Sequence, residues 1–416
     1  MAQQPILTPA APPFSANRPR PLLSVLCPTY NRRRFIERFL AHHVDGFAAT
    51  GLDVEILVSD NGSTDGSREH AREMAAAHDC IRLVEQPENV GAYGNVLYAY
   101  RHARGRYAAF VGDDDMLIPE AAQRALAWME ANPGCVMWQA PWLLLDETQG
   151  NAVIGQFYQL DAARHFERGQ HGACLDLLLQ RHIFPESYIL RTDAIPHIIS
   201  PMHEHAFVFF TQLSRALDAG SVMFSPEPFA RMTAVTAGDN THAGNSEVMI
   251  GWDRYRGGLE YMAARARQGD ASALGDMPTF LIRLQQFVCQ RMMVAVNLHR
   301  AAGNWRDVHY LTRRLAAYGV AMPATPDLEH LHTLAALQTC FAEARMLKRP
   351  TVVLDPKVPE TFVENLNPAS RAAVLRPPAA PGDHPRAHIV LGPKPDWPVG
   401  PHDVVIDLAA AINQYA

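Results

Sequence analysis

The chain has 416 residues, of which 37 are Lys or Arg and 43 are Asp or Glu, so its formal net charge is −6. Hydrophobic residues make up 48% and charged residues 19%, which is the composition of a folded globular protein and carries too little charge for a disordered one. The slight acidity excludes bulk electrostatic binding to nucleic acid or to an anionic membrane, although a local basic patch remains compatible with it. At roughly 150 residues per domain, the length predicts two or three domains.

Localisation is indicated by the apolar runs and the cysteines. No run approaches the ~20 consecutive apolar residues of a membrane span. The first residues, MAQQPILTPAAPPFSANRPRP, lack the basic-then-apolar order of a secretory signal. The six cysteines include no CxxC pair, which excludes a zinc ribbon and disfavours a disulfide framework. These features predict a cytoplasmic protein with reduced thiols, and leave open a peripheral location at the inner face of the membrane.

The first part of the chain alternates between two patterns. Residues 1–20 are rich in Pro and Ala and predict a flexible arm. Short apolar runs then predict strands at 22–27, 54–59, 81–84 and 107–111. The stretches between and after them predict helices at 33–44, 66–79, 94–105 and 119–132. Strand and helix alternate with short connections, so we expect an α/β fold with a mixed, mostly parallel sheet and flanking helices.

The later elements are less regular. Residues 135–147 predict one or two strands, 151–186 a mixture of loop and short helix, and 187–232 a strand, a helix and a strand. From 246 to 348 apolar residues recur every three or four positions, which predicts a C-terminal helical module. Four strand-like pieces after Arg349 predict a small α/β extension. The predicted domains are therefore the arm (1–20), the main α/β domain (21–235), the helical module (236–348) and the extension (349–416).

Polar motifs follow three of the early strands, at the edge of a parallel sheet where ligands bind. They are Pro28-Thr29-Tyr30-Asn31-Arg32, Asp60-Asn61-Gly62-Ser63-Thr64-Asp65 and Gly112-Asp113-Asp114-Asp115. The first two also fit a plain turn or a helix cap. Three adjacent carboxylates repel one another unless a cation or proton relieves them, and Mg²⁺ typically takes one or two carboxylates plus substrate phosphates. Neither GxGxxG nor GxxxxGK[ST] follows the first strand, which argues against a dehydrogenase or a P-loop protein.

The ordered set VLCPTYNRRRFIERFL, EILVSDNGSTDGS, NVGAYGN and ARGRYAAFVGDDDMLIP resembles the family 2 glycosyltransferases, which have the Rossmann-like GT-A fold. The resemblance covers about residues 22–235 and is strongest over 22–120. It implies a nucleoside-diphosphate sugar as donor, a divalent cation (Mg²⁺ or Mn²⁺) and inverting transfer to an acceptor hydroxyl. By this resemblance Thr29 and Tyr30 line the nucleotide pocket, and Asp60 and Asn61 approach the base and ribose. The full donor-binding set it implies is Pro28, Thr29, Tyr30, Asn31, Asp60, Asn61, Asn89, Gly91, Asn95 and Asp113.

The chain departs from the family pattern in two places. Where paired aspartates are common it has Asp60-Asn61, and the amide, which both donates and accepts, leaves the identity of the base open. When the acidic DXD-type motif is aligned on Pro119, Gly112 replaces its first aspartate. Asp114 is then the main metal ligand, accompanied by Asp115, and Asp113 faces the ribose or the waters of the metal.

The general base that deprotonates the acceptor is assigned by the same resemblance. The family places an acidic residue some 90 residues after the aspartate motif, and Glu204 stands at that distance from Asp114. Glu204 also fits a plain helix N-terminus. Glu186, Asp193 and His205 are the alternative bases.

Together these features predict a glycosyltransferase of cell-surface polysaccharide, lipopolysaccharide or glycoconjugate synthesis. Its expected partners are a nucleotide-sugar donor and a glycan or lipid-linked acceptor, without nucleic acid; homo-oligomer formation stays open. One alternative is a non-catalytic glycan-assembly scaffold with a degenerate GT-A domain. Another is a sugar nucleotidyltransferase, disfavoured because no Gly-rich, Lys/Arg-containing loop follows the first strand. Residues 246–416 are predicted to serve the acceptor or assembly.

Overall fold

A computed structural model describes residues 20–199, 208–237, 243–322, 326–377 and 384–416. The chain divides into two compact units. Unit 1 takes residues 1–242 and 254–284, and unit 2 takes residues 243–253 and 285–416. The domain boundaries predicted at residues 235 and 348 remain predictions.

Unit 1 is built from strands and helices that alternate over its first half, as predicted. Its strands are β1 (Leu23–Thr29), β2 (Val54–Asp60), β3 (Ile81–Glu85), β4 (Tyr107–Phe110), β5 (Met116–Leu117), β6 (Cys135–Gln139), β7 (Trp142–Asp146), β8 (Ala152–Gln156), β9 (Arg164–Phe166), β10 (Tyr188–Arg191), β11 (Ser221–Phe224) and β12 (Ala230–Val235). Its helices are α1 (Arg33–Thr50), α2 (Ser67–Ala77), α3 (Ala92–His102), α4 (Pro119–Ala131), α5 (His171–Arg181), α6 (Ile195–Ile198) and α7 (Val208–Ala219). Two long helices, α8 (Ala243–Gly269) and α9 (Met277–Ala301), each contribute residues to both units.

The main sheet has the strand order β3-β2-β1-β4-β10-β6-β11-β9. β9 and β10 run antiparallel to their neighbours, and the other six strands point the same way. The predicted α/β class with a mixed, mostly parallel sheet is therefore confirmed. β2 and β3 lie on one side of β1 and β4 lies on the other, so the order reverses between β1 and β4. Such a switch point opens a crevice at the carboxyl ends of the strands.

The burial of β1 explains why this part of the fold could be predicted from the sequence. Leu23, Val25 and Leu26 are fully buried, as expected of a central parallel strand covered on both faces. Burying each such side chain stabilises the fold by roughly 1.5–3 kcal/mol. The prediction was incomplete over 151–186, where β8 and β9 form in addition to α5. β8 is an edge strand with no buried residue and β9 has three residues, so neither carries the apolar run that marks a core strand.

A second sheet, in the order β5-β12-β7-β8, holds the chain that leaves the acidic motif. β12 pairs antiparallel with β5, with Arg231 opposite Met116, and parallel with β7. The Ile118 amide donates to the Phe229 carbonyl at 2.8 Å. Residues 111–115 thus enter from a strand of one sheet and leave into a strand of another, which fixes both ends of this loop.

Unit 2 carries residues 285–348 of the predicted helical region and the strand-like pieces after residue 349. Its remaining helices are α10 (Trp305–Ala317), α11 (Leu328–Met346), α12 (Glu360–Glu364), α13 (Pro368–Ala372) and α14 (Leu408–Tyr415), and its strands are β13 (Val352–Leu354), β14 (Val374–Leu375), β15 (Ala387–Val390) and β16 (Val404–Asp407). The four strands form a parallel sheet in the order β14-β13-β15-β16. Leu337 and Phe341 of α11 share one apolar core with Val352, Ile389 and Leu408.

Within the described ranges, no helix combines the length and apolarity needed to cross a lipid bilayer. Five of the six cysteines are buried, and Cys80 is half-buried.

Candidate functional site

The loops that follow β1, β2 and β4 meet at one edge of the main sheet. Thr29, the last residue of β1, lies beside Asp60, the last residue of β2. On the other side of β1, the Thr29 hydroxyl donates to Asp113 Oδ2 at 2.7 Å, across the switch point. Residues far apart in sequence are thereby joined, as their positions after parallel strands predict.

The loop after β1 is tied to the loop after β2 by Asn31. Asn31 adopts a positive φ of 52°, a conformation that Asn tolerates better than most residues. Its backbone N–H donates to Ser63 Oγ at 2.9 Å, and its Oδ1 accepts from the Thr64 amide at 2.8 Å. Pro28 is the next-to-last residue of β1. Tyr30, the first residue after β1, is 42% exposed. Tyr30 therefore presents an aromatic ring at this edge, while Asn31 holds the loop.

Asp60 is fully buried, and its two carboxylate oxygens differ in their hydrogen bonding. Its Oδ2 accepts from Arg68 Nε at 2.7 Å and from the Gly62 and Ser63 amides at 3.2 Å each. Its Oδ1 is buried without a hydrogen-bond partner among the residues that the structure describes. A buried polar atom left without a partner is costly, so Oδ1 fits an acceptor for a ligand N–H.

Asn61 turns away from this acceptor toward the loop after β3. Its Nδ2 donates to Asn89 Oδ1 at 2.9 Å and to the Gly91 carbonyl at 3.3 Å, and its Oδ1 accepts from the Val90 amide at 2.9 Å. Both ends of the amide therefore hold the 89–91 loop, where Gly91 has a φ of 84°. An aspartate at position 61 has no N–H for the two oxygens, which accounts for the departure from paired aspartates.

Asn95, the last residue of the NxGxxxN segment, uses its side-chain amide in hydrogen bonds at the ends of β1 and β2. It is buried, and its Nδ2 donates to the Ser59 carbonyl at 2.9 Å and the Thr29 carbonyl at 3.4 Å. Its Oδ1 accepts from Ser59 Oγ and from Gln86 Nε2, both at 2.7 Å. Asn95 thus fixes α3 against β1 and β2 and has no hydrogen-bonding capacity left for a ligand.

The three aspartates after β4 are crowded and held by Arg32. Arg32 Nε lies 2.7 Å from Asp113 Oδ1, and Arg32 Nη2 donates to Asp114 Oδ2 at 2.7 Å. Asp115 Oδ1 accepts from the Thr233 amide at 3.0 Å. Burial raises the pKa of Asp113 to about 7 against the pull of the Arg32 guanidinium, and the charge of Asp114 adds to the rise. Burial, followed by the charge of Asp114, raises the pKa of Asp115 well above its usual range.

Two oxygens of this motif share the space beside Gly112. A Cβ placed on Gly112 would lie 2.9 Å from Asp114 Oδ1 and 3.2 Å from Asp115 Oδ2. In the parts of the chain that are described, no group of three or more His, Cys, Asp or Glu side chains is arranged to hold a metal ion. Mg²⁺ is commonly bound by one or two carboxylates and completed by substrate phosphates. The oxygen donors of Asp114 and Asp115, and the charge crowding around them, fit a cation site of that open kind.

Two side chains that the sequence analysis missed hold the backbone of Asp114. Arg38 Nη2 donates to the Asp114 carbonyl at 2.9 Å, and Thr233 Oγ1 donates to the same carbonyl at 2.8 Å. Arg38 also pairs with Glu147, with Nη1 2.6 Å from Oε1. The run of Arg residues on α1 is the only hint of this role in the sequence, because Thr233 and Glu147 are distant along the chain.

The adjacent histidines of α1, also missed, hold the exit of the acidic loop. His42 Nε2 lies 2.8 Å from the Leu117 carbonyl. His43 Nε2 accepts from the Leu117 amide at 3.0 Å, and its Nδ1 lies 2.8 Å from the Phe39 carbonyl. Because Nε2 accepts, the proton sits on Nδ1 and His43 is neutral. Burial lowers the pKa of His43 to about 3.

The candidate bases fall in different places. Glu204 and His205 lie outside the described residues. Asp193 follows β10, whose Arg191 pairs with Tyr107 at the start of β4, so Asp193 lies at the edge away from the acidic motif. Glu186 precedes β10 and lies at the edge of the acidic motif, where its charge contributes to the raised pKa of Asp115.

In open α/β sheets, ligands bind in the crevice at the carboxyl ends of the strands, where these loops meet. Residues 24–173 match the sequence model of the family described as Glycosyl transferase family 2. This match bears out the predicted resemblance to the family 2 glycosyltransferases over that segment.

Curated relatives match over short segments. TuaG from Bacillus subtilis, a glycosyltransferase that its name assigns to teichuronic acid biosynthesis, is 32% identical over 110 residues, covering 26% of this chain and 42% of TuaG. The abequosyltransferase RfbV from Salmonella typhimurium is 32% identical over 101 residues, covering 24% of this chain and 30% of RfbV. The matches span less than half the length of these relatives.

A solved structure of residues 1–349 of S. aureus TarS in complex with UDP-GlcNAc is 16% identical and has a TM-score of 0.47. The alignment covers 78% of this chain and 88% of that chain. At this level of likeness, the bound UDP-GlcNAc describes TarS and not this chain.

Proposed function

We propose that this protein transfers a sugar from a nucleoside-diphosphate sugar to an acceptor hydroxyl, with inversion and with the help of a divalent cation. One observation carries the proposal: two kinds of ligand-binding group lie at the same edge of the sheet, in the segment that matches the family 2 model. They are the buried acceptor Asp60 Oδ1, which has no partner among the described residues, and the carboxylates of Asp114 and Asp115. TuaG is named for teichuronic acid biosynthesis and RfbV for the transfer of abequose, which supports cell-surface polysaccharide, lipopolysaccharide or related glycoconjugate synthesis as the process.

On the donor side, Asp60 binds the base. A nucleobase N–H, such as N3–H of uracil or N1–H of guanine, donates to Asp60 Oδ1 and satisfies it. A hydrogen bond to a charged group contributes about 1.5–3 kcal/mol. The exposed ring of Tyr30 offers a face on which the base stacks. Asn61 and Asn95 act indirectly here, because their amides hold the loops around the pocket.

Asp114 and Asp115 are the residues that hold the cation, with Asp113 beside them. A bound divalent cation supplies neutralisation of the charge that develops on the departing diphosphate. The chain contributes the fixed geometry of the loop: Thr29 holds the Asp113 carboxylate, and Arg38 and Thr233 hold the Asp114 carbonyl.

On the acceptor side, a carboxylate takes the hydroxyl proton while the new bond to the anomeric carbon forms and the bond to the diphosphate oxygen breaks. The family resemblance assigns this role to Glu204. Of the alternative bases that the structure describes, Glu186 lies at the edge of the acidic motif. We expect Glu204→Gln to lower kcat by at least about 10²-fold with donor Kd unchanged, and Glu186→Gln to stay near wild type. The reverse result moves the role of base to Glu186, and collapse of donor binding in Glu204→Gln removes Glu204 from the acceptor side.

The donor proposal is tested by isothermal titration of the full chain with a panel of nucleoside diphosphates, with and without Mn²⁺. We expect one nucleotide to bind, more tightly with Mn²⁺, and Asp60→Asn to lose most of that affinity. Asp193→Asn makes the same chemical change at the other edge of the sheet and is expected to bind as wild type does. No binding of any nucleoside diphosphate would favour the scaffold alternative. Hydrolysis of a sugar-nucleotide panel then identifies the donor.

A further inference from the structure

Arg32 occupies the position of a counter-ion for the acidic motif. Its Nε and Nη2 lie 2.7 Å from carboxylate oxygens of Asp113 and Asp114 respectively. The guanidinium carbon also lies 4.1 Å from the centre of the Phe35 ring, a cation–π contact. The side chain is 22% exposed, and both carboxylates are buried. One guanidinium thus relieves the repulsion between two buried carboxylates.

Arg32 and a bound cation would compete for the carboxylate of Asp114. Arg32 takes Asp114 Oδ2, while Asp114 Oδ1 lies beside Asp115 Oδ2 next to Gly112. A divalent cation on Asp114 would therefore share one carboxylate with a guanidinium in direct contact. Like charges at such a separation repel strongly in a partly buried site, where screening by water is weak.

We infer that Arg32 is a resting counter-ion that the divalent cation displaces from Asp114, and that the freed guanidinium then binds the diphosphate of the donor. This inference rests on the proposed function. The planar guanidinium, with its parallel N–H donors, suits phosphate oxygens as well as it suits carboxylates. The backbone of Arg32 need not move, because its amide donates to Ser67 Oγ at 3.0 Å and the transfer requires rotation of the side chain only.

The exchange makes cation and donor binding cooperative. Without a diphosphate, the cation must displace Arg32 with no new partner for the guanidinium, so its affinity is low. With a diphosphate present, the displaced guanidinium gains phosphate oxygens, so each ligand raises the affinity for the other.

The test measures Mn²⁺ binding to the full chain by electron paramagnetic resonance, without nucleotide, for wild type, Arg32→Gln and Arg32→Lys. We expect Arg32→Gln to bind Mn²⁺ at least about tenfold more tightly, since the competing charge is gone. Arg32→Lys should fall between the two, because one ammonium cannot reach both carboxylates as the guanidinium does. Arg72→Gln is the matched control, with the same change at an exposed arginine paired with Glu85, and should bind as wild type does.

A second measurement separates this inference from the proposed function. In the presence of Mn²⁺, the Kd of Arg32→Gln for the nucleoside diphosphate should rise about tenfold, through loss of a charged phosphate contact. If wild type binds the nucleotide but Arg32→Gln, folded by circular dichroism, shows unchanged or weaker Mn²⁺ affinity, the counter-ion role is wrong and the proposed function stands. If wild type binds no nucleoside diphosphate, the proposed function itself fails and the role of Arg32 falls with it. If Arg32→Gln does not fold, Arg32→Lys decides: Mn²⁺ affinity equal to or below wild type overturns the inference.

Discussion

His43 links the stability of unit 1 to pH through a single buried imidazole. The side chain is fully buried, its ring centre is 4.0 Å from that of Phe39, and its Nε2 accepts the Leu117 amide at 3.0 Å. Burial lowers the pKa of His43 from 6.5 to about 3, and the neighbouring His42 adds to the fall. Protonation would place an uncompensated charge in the core and turn the acceptor of the Leu117 amide into a donor.

The sign and size of the effect follow from that pKa. The folded pKa lies below the unfolded one, so between about 3 and 6.5 the unfolded chain binds more protons at this site. The contribution of His43 is complete above pH 6.5 and is lost as the pH falls, by about 1.4 kcal/mol per pH unit. Between pH 7.5 and 5.0 we expect His43 to remove about 2 kcal/mol from the free energy of unfolding.

The assay compares wild type with His43→Gln, which keeps an acceptor for the Leu117 amide but does not titrate. Urea unfolding is measured at pH 7.5 and 5.0, with hydrogen exchange of α1 peptides as the readout, so that unit 1 is followed separately. Other titrating groups are common to both proteins and cancel in the difference. Wild type should lose about 2 kcal/mol more than the variant on acidification. An equal loss in the two proteins would refute a neutral, buried His43.

Three further substitutions test the site. Asp114→Asn should weaken Mn²⁺ binding and reduce turnover by about 10²–10³-fold while the circular dichroism spectrum stays that of wild type; retention of more than about a tenth of the activity excludes Asp114 as the main ligand. Asn61→Asp restores the residue common in the family but sets a carboxylate against Asn89 Oδ1 and the Gly91 carbonyl, so hydrogen exchange of the 89–91 loop should rise and the thermal midpoint should fall. Gly112→Asp should lower the thermal midpoint without raising Mn²⁺ affinity, because its Cβ would lie 2.9 Å from Asp114 Oδ1 and it adds a fourth carboxylate to the motif. Gly112→Ala adds the same Cβ without the charge and should lower the thermal midpoint less.

The strands that position the site could be predicted because each combines a buried apolar run with a polar end. β1 and β2 are buried along almost their whole length, and the polar residues that follow them interrupt the pattern where the strands end. Parallel strands bring their carboxyl ends to one edge, so the meeting of Thr29 with Asp113 follows from strand order and direction. Because the local residue pattern and the global fold agree here, the residue pattern is sufficient to predict these strands and the edge at which their loops meet.

Contacts between distant residues could not be predicted in the same way. The partners of Asn61 lie nearly thirty residues further along the chain, and an amide in a turn motif gives no indication of whether it faces a ligand or another loop. His42 and His43 are compatible with a helix whether their side chains face solvent or the core, so the helical pattern does not predict their contacts. Only the position of Leu117 in the folded chain shows that both of them hold one backbone residue.

Strand direction decides between the carboxylates that the sequence leaves equivalent. Glu186 and Asp193 are seven residues apart and flank β10, which the apolar pattern predicts without indicating its direction. Because β10 runs antiparallel to β4, the chain passes Glu186 at the edge of the acidic motif and reaches Asp193 at the other edge. At about 3.3 Å per residue, the four residues of β10 alone separate the two by about 13 Å, too far for both to reach one acceptor hydroxyl. Asp193 instead pairs with Arg191 at 2.6 Å, so its substitution serves as the control for any carboxylate at the site edge.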